Sequence, residues 1–202
     1  MGKTSATAAA PTQDVQVIPP VIVRFTYSLK GIGRGLLLCN PAGSQENRPT
    51  PGGRTLKVPE AEQFERARYM LKPARDGATD GVPAVGFIAA MKRQAMNNKQ
   101  GTQVMGVFWA EPEEDGLLPL LDAEAKALAC FPRTSSGAPK VIRAHYPTWR
   151  VELPLAFIAS VKNKNEVAQF LLDAGIRVGV GCQRPERDQA AGFGRFTFEI
   201  SE

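Results

Sequence analysis

The carboxyl-terminal segment, residues 175–200, constrains the possible folds of this chain more than any other segment. Gly175 stands where a helix would end, and apolar residues then predict a short strand over 176–180. Apolar and polar residues alternate over 195–200, which predicts a final strand. The loop between these two strands begins and ends with pairs of glycines: Gly179 and Gly181, then Gly192 and Gly194.

Two interpretations of this glycine-rich loop remain open. Glycine allows a backbone to approach another backbone closely, so the loop can be a hairpin that needs glycine to turn. Glycine combined with arginine also favours a phosphate site, because exposed N–H groups and guanidinium groups both bind anions. The arginines in or beside the loop are Arg184, Arg187 and Arg195.

The composition indicates a single domain that is moderately basic. The chain has 202 residues and a net charge of +5, which favours anionic partners. Its three cysteines are far apart in the sequence, and there is one histidine, so we expect no disulfide framework, no metal site and no cofactor. No apolar segment is long enough to span a membrane, and a reducing bacterial cytoplasm is the expected location.

The amino-terminal part predicts a flexible arm followed by a strand. Residues 1–20 are rich in Ala, Thr, Ser and Pro, which is typical of a flexible arm. Apolar and polar residues then alternate over Val21–Lys30, which predicts a half-buried strand with Arg24 and Lys30 on its polar face. Glycines between 31 and 35 predict a turn into a second apolar segment, Leu36–Leu38.

The central part predicts two helices and another strand. A loop is expected over 40–58, a short helix over Pro59–Leu71 and a second loop over 73–83. A longer helix is expected over Ala84–Lys99, with Lys92 and Arg93 on its outer side. A strand follows over Gln103–Ala110, and the acidic residues 111–115 read as a solvated turn.

Residues 126–150 combine basic and aromatic side chains without an acidic residue between them. Basic side chains neutralise phosphates, and aromatic rings offer surfaces on which bases stack. Lys140 and Arg143 are the candidate phosphate ligands, and Tyr146 is the candidate stacking residue. The alternative is an ordinary hairpin whose aromatic residues, Trp149 among them, fold into the core.

The order of the remaining elements predicts an α+β fold. The last helix spans 163–174, with Asn163 as its N-cap and Glu166 completing a capping box. With strands over 21–30, 103–110, 141–158 and 176–200, the order is βαββαβ, which is ferredoxin-like and resembles RNA-recognition modules. One domain over 21–202 is expected, with long insertions at 40–83 and 111–140 and a four-stranded antiparallel sheet. Its open face would carry four basic residues: Arg24, Lys30, Arg150 and Arg195.

With this order and its glycine-rich end, the chain resembles the RAMP superfamily of CRISPR backbone and processing proteins. The segment Gly81–Phe87, followed by Ala90-Met91-Lys92, is similar to the helix start of that group, although it lacks the second proline and the serine of the pattern. Gly179-Val180-Gly181-Cys182-Gln183-Arg184-Pro185 and Phe193-Gly194-Arg195-Phe196 resemble segments of small RAMP-like proteins of phages and prophages. The resemblance implies a non-catalytic phage protein that polymerises along a nucleic acid strand.

Three functional hypotheses follow. The first is a self-associating protein that binds single-stranded RNA or DNA, as an oligomer or filament, through Arg24, Lys30, Lys92, Arg93, Lys140, Arg143, Tyr146, Arg184, Arg187 and Arg195. The second is a metal-independent endoribonuclease of RAMP type in which His145 acts as general acid or base. The third is a structural or inhibitory phage protein whose basic face binds an acidic protein.

Overall fold

A computed structural model describes residues 19–42, 58–104, 106–131, 140–186 and 192–199. The fold is mixed α+β, and its sheets are antiparallel, as the sequence predicts. Three sets of residues lie outside the described part: residues 1–18 of the amino-terminal arm expected over 1–20, most of the 40–58 loop, and Arg187.

The largest sheet has four strands in the order β10-β1-β9-β5, and every neighbouring pair is antiparallel. These strands are β1 (Ile22–Ile32), β5 (Phe108–Ala110), β9 (Arg150–Ile158) and β10 (Arg195–Phe198). The alternation predicted for the first strand is confirmed, because Leu29 is buried and the neighbouring Lys30 is exposed. The predicted strand over 103–110 is shortened to its last three residues, since Gly101–Val104 forms the short helix α3.

Two helices cover one face of this sheet. Helix α2 (Ala84–Asn97) confirms the longer predicted helix, and it packs against α4 (Lys164–Arg177). Phe87 of α2 contacts Phe196 of β10, with ring centroids 5.3 Å apart. The core includes Trp149, which is 3% exposed, so the structure favours the interpretation in which this ring folds inward.

The N-cap of α4 forms as the sequence predicts. The Glu166 N–H donates to Asn163 Oδ1 at 3.0 Å, and the Glu166 carboxylate accepts from the Asn163 N–H at 3.0 Å. This reciprocal pair satisfies two backbone donors that a helix start otherwise leaves open.

We therefore expect Asn163→Ala to lower the free energy of unfolding by about 1 kcal/mol, measured by urea denaturation. Asn165→Ala is the matched control, because Asn165 is an exposed residue of the same helix with no capping role. It should change stability by less than about 0.5 kcal/mol. Equal losses in the two variants would contradict the capping role.

The end of α4 differs from the sequence expectation. Gly175 does not end the helix, which continues to Arg177, so the strand predicted over 176–180 is wrong. Gly175 lies against β10, and a Cβ at this position would be 2.3 Å from the Phe196 carbonyl oxygen. The glycine is therefore required for close packing of the helix on the strand.

Two three-stranded sheets flank the main one. The first has the order β2-β8-β7, from Leu36–Leu38, Val141–Tyr146 and Lys126–Cys130. The second has the order β3-β4-β6, from Met70–Arg75, Ala78–Pro83 and Leu117–Pro119.

The strands of these two sheets correct the predicted bounds or type of three further elements. The loop predicted over 73–83 is a hairpin, and the helix predicted over Pro59–Leu71 is the shorter α1 (Glu60–Ala67). The strand predicted over 141–158 is divided between two sheets, because β8 pairs with β2 while β9 pairs with β1. No helix in the described part of the chain is long and apolar enough to cross a membrane.

Candidate functional site

Basic side chains from two separate segments line a cavity of about 500 Å³. Lys92 and Arg93 come from the outer side of α2, as the helical pattern predicts. Arg184 and Glu186 come from the segment that follows α4. The structure therefore brings together three of the candidate phosphate ligands that are far apart in the sequence.

The charges in this cavity are not balanced. Glu186 forms ion pairs with both Arg93 and Arg184, and its distance to Arg184 Nη2 is 3.1 Å. Lys92 has no carboxylate partner among the described residues. Three positive side chains therefore share one carboxylate, and the cavity carries an excess of positive charge.

Backbone hydrogen bonds hold the segment that carries Arg184. The Cys182 N–H donates to the Leu37 carbonyl at 2.7 Å, and the Val180 N–H donates to the Gly194 carbonyl at 2.9 Å. The Gly194 N–H donates in turn to the Gly35 carbonyl at 2.7 Å. The glycine-rich loop is thus bound to β2 and to the start of β10, which fixes Arg184 beside α2.

These bonds also bear on the phosphate-loop interpretation of the glycines. The N–H groups of Gly179 and Gly194 both donate to protein carbonyls, the first to Ala174 at 2.8 Å. Neither N–H group is directed at a ligand in this conformation. Of the two interpretations of the loop, the structure favours close backbone packing at these glycines.

The open face of the main sheet carries mixed charge. Arg24 donates two hydrogen bonds to Glu111, at 2.8 and 3.1 Å. Arg150 contacts Asp122 at 3.1 Å and Glu199 at 3.2 Å. Lys30 and Arg195 lie on this face without a carboxylate partner among the described residues. Because the four cations here share three carboxylates, whereas the three cations of the cavity share one, this surface attracts an anion less strongly than the cavity does.

Two further basic candidates, Lys140 and Arg143, are not among the residues that line the cavity. Lys140 pairs with Glu60 of α1 at 2.5 Å. Arg143 projects from β8, and its Nη1 lies 2.6 Å from the Cys39 sulfur. Lys140 and Arg143 therefore do not add their charges to the lining of the cavity that holds Lys92 and Arg184.

The burial of Tyr146 contradicts the base-stacking role predicted for it. Its side chain is fully buried in the core, so its ring is not available to stack on a base. Burial also raises the pKa of its hydroxyl, which makes it a poor proton donor for catalysis. The alternation of β8 places it on the inner face, opposite Leu36 of β2.

His145 points to the other face of β8. Its Nε2 lies 2.8 Å from the Arg34 carbonyl oxygen, and its ring contacts Phe193 edge-on. One ring nitrogen is thus engaged by the backbone. No described carboxylate hydrogen-bonds to the imidazole to orient it, so the general acid–base role of His145 remains a prediction.

No family model matches this chain, and no curated protein does either.

The acidic residues that follow β5 form a turn. Glu113 and Asp115 pair with Arg75 at 2.6 and 2.7 Å. Across the described ranges, no group of three or more His, Cys, Asp or Glu side chains could hold a metal ion.

Sequence reasoning missed two features of this region. The first is Glu186, the single carboxylate of the cavity. It stands between two arginines in the sequence, and this position could have predicted that it pairs with an arginine. Cys39 and Cys182 lie close enough for each to shift the pKa of the other, and no spacing in the sequence indicates this.

Proposed function

We propose that this chain is a non-catalytic protein that binds single-stranded nucleic acid, and that the cavity between α2 and Arg184 holds its phosphate backbone. The observation that carries the proposal is the cavity's excess of positive charge. Lys92, Arg93 and Arg184 face one volume of about 500 Å³ with Glu186 as the single carboxylate. Phosphate contacts of this kind supply most of the affinity of nonspecific nucleic acid binding.

The hydrogen-bonding state of Arg184 supports an anionic ligand. Its Nε atom is buried and has no hydrogen-bond partner among the described residues. An unsatisfied buried donor costs about 1–3 kcal/mol, and a bound oxyanion is one group able to satisfy it. The planar guanidinium also suits the paired oxygens of a phosphate.

We further propose that the main sheet and helices α2 and α4 form a ferredoxin-like unit. The strand order β10-β1-β9-β5 and its antiparallel pairing support this, because consecutive elements then follow the βαββαβ order. The relationship to RAMP proteins rests on three short motifs and belongs to the same proposal. The cavity lies on the helix side, so binding would not use the open face as RNA-recognition modules do.

Self-association along the strand is the second part of the proposal. Val21, Ile22 and Val161 are exposed apolar residues at the same end of the main sheet. The Ala159 N–H donates to the Val21 carbonyl at 2.9 Å, which holds these segments side by side. An exposed apolar patch of this kind is typical of a contact surface.

The test is fluorescence anisotropy with labelled single-stranded RNA, single-stranded DNA and duplex, over a series of salt concentrations. We expect salt-sensitive binding to a single strand. Each phosphate contact on a single strand adds about 0.7 to the salt slope, so the double variant Lys92→Gln, Arg93→Gln should lower it by about 1.4. Lys72→Gln is the matched control, because exposed Lys72 of β3 lies outside the cavity.

Other outcomes of this experiment are equally informative. An unchanged slope in the double variant would move the binding site away from the cavity. Absence of binding by the wild-type protein would contradict the proposal and favour an acidic protein partner. Light scattering on the same samples tests self-association, which requires that mass increase with strand length.

A further inference from the structure

The three cysteines, which are far apart in the sequence, lie in one region of the structure. Cys39 follows β2, Cys130 ends β7, and Cys182 follows α4. The 2.7 Å hydrogen bond from the Cys182 N–H to the Leu37 carbonyl holds the third segment against the first. Cys130 belongs to the same apolar cluster as Leu37, and Cys182 packs against that cluster. Backbone contacts therefore fix the relative positions of Cys39 and Cys182.

Cys39 and Cys182 form a pair of neighbouring thiols beside a cation. Their side chains lie close enough for each to shift the pKa of the other. Arg143 Nη1 lies 2.6 Å from the Cys39 sulfur, and Arg143 has no carboxylate partner in the described part of the chain. A cation directed at a sulfur atom favours the thiolate, which is the reactive form of cysteine. Cys39 is only half-buried, so a small reagent can reach it.

The surroundings distinguish the two thiols. The hydrogen bond from Cys182, with the charge and hydrogen bond of Arg143, lowers the pKa of Cys39 to about 6, although burial opposes this. The same hydrogen bond and burial raise the pKa of Cys182. Above a pH of about 6, Cys39 is therefore the thiolate and Cys182 retains its proton. The nearby Tyr69 hydroxyl stays neutral at this pH, because burial raises its pKa to about 12.

Cys130 provides a contrast within the same protein. It is 6% exposed, and its thiol donates weakly to the Leu128 carbonyl. Burial raises the pKa of Cys130. We therefore expect it to remain protonated and unreactive under conditions in which Cys39 reacts.

We propose that Cys39 is a nucleophile that reacts with hydroperoxides and that Cys182 is the thiol that resolves the product into a disulfide. The Cys39 thiolate attacks one peroxide oxygen, the O–O bond breaks, and the other oxygen leaves as hydroxide from hydrogen peroxide or as alkoxide from an organic hydroperoxide. Cys39 is then a sulfenic acid. The base released in the first step takes the Cys182 proton, the Cys182 thiolate attacks the Cys39 sulfur, the S–O bond breaks, and hydroxide leaves to the solvent. Two thiols are oxidised and one peroxide is reduced by two electrons.

Arg143 would assist both steps from the same position. In the first, its guanidinium holds the Cys39 thiolate. Formation of the sulfenic acid removes the negative charge of Cys39, which is the group that keeps the proton on Cys182. The charge of Arg143 then favours the Cys182 thiolate that attacks. This inference is independent of nucleic acid binding.

The first test uses wild-type protein alone. Native protein is treated with iodoacetamide over a pH series, and alkylation of each cysteine is followed by peptide mass spectrometry. The Cys39 rate should rise through a pH of about 6 and then level off, while an ordinary thiol continues to gain reactivity up to about pH 8.5. Cys130 should react much more slowly. Equal rates for Cys39 and Cys130 would overturn the proposal.

The second test is oxidation by hydrogen peroxide. Equimolar peroxide should produce protein lighter by two hydrogens, with Cys39 and Cys182 joined in the nonreduced peptide map. Cys182→Ser should instead accumulate a sulfenic acid at Cys39 that dimedone traps. Appearance of a Cys39–Cys130 disulfide, or of no disulfide in the wild-type protein, would contradict the proposed pair.

A variant that removes the charge of Arg143 tests the role of this residue. Arg143→Gln should lower the Cys39 alkylation rate about fivefold at a pH of about 6, because a pKa raised by about one unit lowers the thiolate fraction from about one half to about one eleventh. Lys126→Gln is the matched control, since it removes a cation from the adjacent strand β7. Equal effects of the two substitutions would show that general charge, and not the Arg143 contact, activates Cys39.

Discussion

Replacing Gly194 by alanine is expected to lower the free energy of unfolding by about 3–5 kcal/mol, or to prevent folding. Gly194 has a φ of 73°, a conformation that residues with a Cβ rarely adopt. A Cβ at this position would lie 1.8 Å from the Val180 carbonyl oxygen. The backbone would have to move, which would break the hydrogen bond between the Val180 N–H and the Gly194 carbonyl.

The variant Gly33→Ala separates the cost of the left-handed backbone from the cost of the close contact at Gly194. Gly33 has the same φ of 73°, but nothing lies within 4 Å of a Cβ added there. This variant should lose only about 1 kcal/mol, which is the cost of the left-handed backbone alone. Urea unfolding monitored by circular dichroism provides both values. Equal losses would show that the close approach at Gly194 does not matter.

Replacing Arg68 by methionine is expected to lower the free energy of unfolding by about 3–5 kcal/mol. Arg68 follows α1 and donates two hydrogen bonds to Asp80 of β4, both at 2.9 Å. Asp80 is 5% exposed. Without Arg68, this carboxylate remains buried with its principal cationic partner removed, and burial of an uncompensated charge is strongly unfavourable.

Two further variants test this explanation by urea denaturation. The double variant Arg68→Met, Asp80→Leu removes both charges, so it should be more stable than Arg68→Met alone. Arg66→Met is the matched control, because Arg66 pairs with Glu62 on the exposed side of the same helix and should cost less than about 1 kcal/mol. A double variant less stable than Arg68→Met would mean that the loss comes from packing and not from the buried charge.

Elements with a strong local periodicity could be predicted from the sequence. The alternation over Val21–Lys30 predicts β1, and the apolar stripe over Ala84–Lys99 predicts α2 nearly to its ends. The capping box of α4 was predicted residue by residue. In each case the signal lies within a single element, because one face of that element must be buried.

Elements that depend on a distant partner were missed. The β3–β4 hairpin contains Pro73 and Gly77, which favour a loop when only local sequence is considered. Its strand β4 pairs with β6, more than thirty residues away, and Arg75 is held by Glu113 and Asp115. Gly175 shows the same limit, since its role in packing depends on Phe196 of a later strand.

Local sequence alone determined the basic character of the chain, the mixed α+β class, and the positions of the strongly periodic elements. The tertiary structure decided which charges act together. It placed Lys92 and Arg93 beside Arg184, paired Arg24 with Glu111, and buried Tyr146. It also brought Cys182 next to the segment that carries Cys39. The physical reason for this division is that hydrophobic periodicity indicates only which face of an element is buried. Contacts between side chains of different elements depend on how segments far apart in the chain pack together.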